Sequence, residues 1–169
     1  QGDTSFMFRY RYENVDQYPI HDEADASTLL SRITWKSGTV KGFAGLVEVD
    51  NVTALGGESF NSTSNGKTTY PVVADPDYTQ VNQAWLSYIL NRSAKLTAGR
   101  QRTIHSGERF LGSVAWRQNE QTYDSTRVQL TPLPGLSVDY SYIWKIHRVF
   151  DPDTHPGDPG TPGFLGNFE

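Results

Sequence analysis

The sequence predicts an all-β fold: an antiparallel, up-and-down transmembrane β-barrel, of which about seven strands are visible. Three observations carry that expectation. Residues 5–13 alternate aromatic with mostly charged side chains. Long and very short connections follow one another in strict alternation. Finally, no apolar run approaches the roughly 18 residues that a membrane helix needs, so any spanning must be done by strands.

The first strand holds Phe6, Phe8, Tyr10 and Tyr12 on one face, with Met7, Arg9, Arg11 and Glu13 on the other. Successive side chains of a strand point to opposite sides, so one face is aromatic and the other largely charged. The second strand, near 28–36, sets Leu29, Ser31, Ile33 and Trp35 against Leu30, Arg32, Thr34 and Lys36. Ser37-Gly38-Thr39 supplies a tight turn. A third strand, near 40–50, sets Phe43, Gly45, Val47 and Val49 against Ala44, Leu46, Glu48 and Asp50.

A polar stretch rich in Gly, Asn, Ser and Thr follows over 51–79. The fourth strand, near 81–90, places Ala84, Leu86, Tyr88 and Leu90 opposite Gln83, Trp85, Ser87 and Ile89. After the turn 91–93, a fifth begins at Lys95. A sixth is expected from Val114 and Trp116 toward Leu130, with its alternation broken around Asn119–Thr122. Pro132-Leu133-Pro134-Gly135 turns the chain into a seventh strand, near 136–147, with Leu136, Val138, Tyr140, Tyr142 and Trp144 on one face. Residues 1–150 therefore read as barrel strands, and the Pro/Gly-rich segment 151–169 as a loop, an external one cut short.

The long connections are 14–27, 51–79, 103–112 and the tail; the short ones are 37–39, 91–93 and 132–135. In an up-and-down sheet this collects the long loops at one end and the tight turns at the other, as in outer-membrane barrels. Seven strands do not close. Phe164–Phe168 could begin an eighth, but about five residues at roughly 3.3 Å each cannot cross an apolar band of about 25 Å. The chain is accordingly expected to be the N-terminal portion of a larger barrel.

The totals agree. Of 169 residues, 36% are hydrophobic and 12% aromatic, and this suits an aromatic girdle around a polar interior. A net charge of −4 offers nothing to nucleic acid, and the lack of cysteine excludes disulfides and thiol metal sites.

Several strings are more specific than alternation. Asp50–Gly57 and Asn65–Pro76 resemble the second external loop of the alginate-export-like porins. Val81–Tyr88, Gly99–Arg102 and Trp116–Asp124 are similar to that family's strand segments, in the same order along the chain. The resemblance implies a bacterial outer-membrane barrel of roughly 16–18 strands that passes solutes by diffusion. Small anions or acidic saccharides are its first expected solutes. The implied surroundings are the lipid bilayer and lipopolysaccharide, and a homo-oligomer is left open.

A pore acts through its lining. Arg9, Arg11, Arg32 and Lys36 form a cationic set opposite the aromatic face, and such a set favours anions where a narrow pore focuses its field. Glu48 and Asp50 face the same way and could form an opposing wall. Cross-strand charge pairing would satisfy the same residues with no role in selectivity. Arg100, Arg102 and Arg117 join the lining candidates from the family-like strings, although strict parity puts Arg100 with Leu96 and Ala98 on the lipid side. A bulge at Gly99, or a place at the membrane rim, would relieve that. Trp35, Tyr88, Tyr140, Tyr142 and Trp144 are girdle candidates.

No catalytic residue, cofactor or metal site is assigned. The four histidines are scattered, Asp151, Asp153 and Asp158 lack an EF-hand spacing, and no nucleophile elbow or phosphate loop is present. The alternative reading is a soluble or surface-exposed sheet that binds carbohydrate by aromatic stacking.

Overall fold

The computed structural model describes residues 2–109 and 111–150. Seven strands make up one sheet: β1 (Asp3–Val15), β2 (Ala24–Lys36), β3 (Phe43–Ala54), β4 (Tyr78–Asn91), β5 (Ala94–Gln101), β6 (Thr122–Leu133) and β7 (Leu136–His147). Their spatial order is their sequence order, and every neighbouring pair is antiparallel. This is an up-and-down sheet, and it is open between β1 and β7. No described helix is long and apolar enough to cross a membrane.

Parity on β1 to β3 follows the sequence. Arg9 pairs with Leu30, Arg11 with Thr28 and Arg32 with Asp50, which puts the charged positions on one continuous inner face. On the outer face, Phe6 is 67% and Phe8 71% exposed. Phe43 and Tyr88 pack there with ring centroids 4.5 Å apart.

The strands run longer than the alternation alone suggested. β2 begins at Ala24 because Ala24 and Ala26 are small enough to be buried inward while Asp25 points out and accepts from the Tyr12 hydroxyl. β3 continues to Ala54, since Val52 still pairs with Leu30 and Ala54 with Thr28. One register shift, between Glu48 and Val49, gives two β4 residues one partner. Asn82 and Gln83 consequently both reach inward to Glu48.

One element is corrected. Val114 and Trp116 lie on no strand: β6 starts at Thr122, and residues 111–121 return along the inner face as part of the β5–β6 connection. Their backbone is held by loop contacts such as His105–Leu111, and their side chains by distant strands. The tail 151–169, with the potential eighth-strand residues Phe164–Phe168 and the aspartates 151, 153 and 158, lies outside the described residues.

The apolar core is small and sits at the long-loop end. Phe60 and Val73, from the β3–β4 connection, pack on Ala24 and Ala26, with Val15 and Ala54 beside them. That connection is tied to the sheet by the Asp25 N–H donating to the Ser59 carbonyl at 2.8 Å.

Candidate functional site

The inner face of β1 and β2 is covered by chain. Residues 111–121 lie across β1 and β2, and Gln118 is the residue around which they are fixed. Its side chain is fully buried. The Nε2 group donates to the carbonyls of Arg9 and Thr28 and to the Thr28 hydroxyl at 3.0–3.1 Å. Its Oε1 accepts from Arg9 Nε at 2.9 Å. Arg9 then donates to the carbonyl of Ala115 at 3.0 Å and to that of Arg117. A buried amide with both ends satisfied specifies one position for the loop, since any shift would strand its polar atoms.

The β3–β4 connection completes the clamp. Asp75 Oδ1 accepts from the Gln118 N–H at 3.0 Å, and Asn119 donates to the Pro76 carbonyl at 3.1 Å. Asp75 is buried, and its second oxygen has no hydrogen bond, with Arg11 Nε 3.7 Å away. Burial pushes the Asp75 carboxyl up from its ordinary value, against the Gln118 N–H and the Arg11 and Arg117 charges. Two guanidinium groups lie over the exposed Trp116 ring, Arg117 at 4.3 Å and Arg11 at 5.4 Å from its centroid. Both of these arginines also pair with Glu13.

A second cluster adjoins the first on β2, β3 and β4. Arg32 grips Asp50 at two points, 2.7 and 2.6 Å, and reaches Glu120 at 2.9 Å. Arg102 donates to the same Glu120 at 2.6 Å and lies 3.3 Å from Glu48. Glu48 further accepts from Thr34, Asn82 and Gln83 at 2.7–2.9 Å. Across the two clusters, arginines 9, 11, 32, 102 and 117 are matched in number by Glu13, Glu48, Asp50, Asp75 and Glu120. The charges that line this part of the wall are balanced, and they hold the loop.

The other candidates fall elsewhere. Lys36 is exposed at the turn end of β2. Arg117 belongs to the connection, where the string Trp116–Gln121 had read as strand. Arg100 follows strict parity: it pairs in register with Ala84 and Asp124, alternates with the buried Gln101, and meets Asp124 at 3.0 Å. The pairing with β4 and β6 is unshifted at Gly99, yet Gly99 has φ +119° and leaves no room for a Cβ beside the Ala84 carbonyl. His147 joins Asp124 at 2.8 Å, completing a polar trio at the long-loop ends of β5, β6 and β7. Trp35, Tyr88, Tyr140, Tyr142 and Trp144 all lie exposed.

Sequence reasoning missed Gln118, Asn119 and Glu120. The available signal was the break in alternation at Asn119–Thr122, a run of polar residues with no outward apolar partners. It also missed a cavity of about 370 Å³ whose walls include Trp85, Lys95, Thr97, Gln101 and Arg127.

A sheet apolar outside, polar inside and packed with a connecting loop on its polar face is consistent with part of a transmembrane β-barrel. More narrowly, the chain belongs to the alginate export family, whose sequence model matches residues 3–143. That family is one of outer-membrane transport proteins rather than enzymes. No curated protein and no solved structure matches the chain.

Proposed function

We propose that this chain forms part of the wall of an outer-membrane channel that passes small, anionic or saccharide solutes by passive diffusion. The observation that supports it is the packing of residues 111–121 against the inner face by Gln118 and Arg9. A channel wall whose loop folds inward narrows its own lumen, and the width left over decides what can pass. The outer face then meets bilayer lipid and, at its external rim, lipopolysaccharide. Solutes need no energy coupling in this scheme: they move down their gradients past the loop.

Planar-bilayer recording on the full-length protein, purified in detergent, tests the reading. Discrete ohmic conductance steps are expected, with a reversal potential in a salt gradient that reports the ion preference. A protein that gives no steps and stays monodisperse without detergent would be the carbohydrate-binding sheet instead. The exposure of Phe6 and Phe8 speaks against that alternative, because a soluble sheet covers such a face.

A further inference from the structure

The balanced arginines raise the question of which cation remains for a solute. In the cavity on the inner face of β4, β5 and β6, Arg102 is engaged by Glu120, and Arg127 grips Asp139 with its Nε 2.8 Å from Oδ1. Lys95 differs. It has no carboxylate partner among the described residues, and its Nζ stands 5.8 Å from the centroid of the Trp85 ring. Thr97 stands on the same inward row of β5, and the amides of Gln101 and Gln129 complete the polar lining. Gln101 spends its Nε2 on the Ser125 carbonyl, leaving Oε1 as an acceptor.

We propose that this cavity is a binding station for a small ring-shaped monocarboxylate, held with its carboxylate on Lys95 and its ring against Trp85. An ammonium brings three donors and one positive charge, enough for one carboxylate and no more. The indole offers a flat apolar surface, and the hydroxyl and amide groups around it accept or donate to ring substituents. The volume of about 370 Å³ lies in the range of small-molecule pockets and holds one ring rather than a chain of them. Discrimination between anions and neutral solutes therefore rests on Lys95, whereas the arginine clusters fix the loop. This deepens the channel reading and rests on it for the direction of solute movement, but not for binding itself.

Two measurements on the full-length protein separate the possibilities. Tryptophan fluorescence in detergent is titrated with glucuronate, benzoate and glucose, and the same probes are added during bilayer recording. Glucuronate or benzoate should quench wild-type fluorescence saturably and interrupt the current, while glucose at equal concentration does neither. Which acid binds more tightly tells a saccharide ring from an aromatic one. Lys95→Gln should weaken binding at least about tenfold, and Trp85→Phe should remove most of the quenching. Lys36→Gln, at the exposed turn end of β2, should leave the affinity as it is. Equal affinity in wild type and Lys95→Gln, or equal binding of glucose, overturns the station. Binding without conductance overturns the channel reading alone, and conductance without binding overturns the station alone.

Discussion

Arg32 and Asp50 face each other across β2 and β3 and are joined at two points, both shorter than 2.8 Å, with the aspartate fully buried. The same guanidinium also reaches Glu120 of the inward loop. Wall and loop are thus joined through one side chain. Removing it leaves Asp50 buried without its ion-pair partner, so Arg32→Met should destabilise the fold by about 3–5 kcal/mol. Urea unfolding of the protein in detergent, followed by tryptophan emission, would reveal it. A loss under about 1 kcal/mol would mean that water solvates the pair as it does a surface one.

Arg9 and Arg11 were natural candidates for an anion filter, yet both are tied to the loop backbone. Replacing the pair, Arg9→Ala with Arg11→Ala, should therefore release residues 111–121. Single-channel conductance should rise and become noisier, and this change should exceed the change in ion preference. A drop in anion preference at constant conductance would restore the pair to the filter.

Gly99 tests the backbone. A Cβ there would stand 2.3 Å from the Ala84 carbonyl oxygen, at a φ of +119° that side chains rarely adopt. Gly99→Ala should cost more than the roughly 1–3 kcal/mol of a strained backbone alone. Gly56→Ala serves as the comparison, since Gly56 also has positive φ but nothing within 4 Å of its would-be Cβ. The resistance of folded protein to SDS on heating should fall clearly for the first variant and little for the second.

Asp75 makes the loop clamp sensitive to pH. Its folded-state carboxyl is raised above the ordinary value of 3.8. A raised acid binds more protons folded than unfolded, so stability grows as pH falls toward about 4 and is lost as pH rises through the folded value. Arg11, Arg117 and Glu13 are the charged groups that face it. The loop should accordingly be held longer in mild acid than at neutrality, seen as fewer conductance fluctuations. Asp75→Asn keeps an acceptor for the Gln118 N–H and removes the titration, so it should flatten this dependence. An unchanged slope in that variant would place the proton elsewhere.

The pattern of period two located the strands, because on β1, β2, β3 and β7 apolar and polar side chains largely alternate. It also gave the side of Arg9, Arg32, Glu48 and Asp50. It failed at residues 113–121, and the reason is physical. Gln118 is held by Arg9, Thr28 and Asp75, none of them near it in sequence, and contacts of that range leave no periodicity. The same limit hid the charge balance: parity shows which side an arginine faces, but Arg32 meets Glu120 only because a distant loop delivers it. Arg100 was the reverse case, a parity reading that looked too costly and that Asp124 makes tolerable.

The trio of Arg100, Asp124 and His147 has a consequence for posture. Cations on the lipid side of a barrel cost about 2–4 kcal/mol at the midplane of a bilayer and little near its surface. With Trp144 and Tyr142 exposed on the neighbouring strand, these three side chains would draw a waterline on the outside of β5, β6 and β7 in the membrane wall proposed above. Below it the strands could sink and above it they could not, so the trio would set the depth at which this stretch of wall rides.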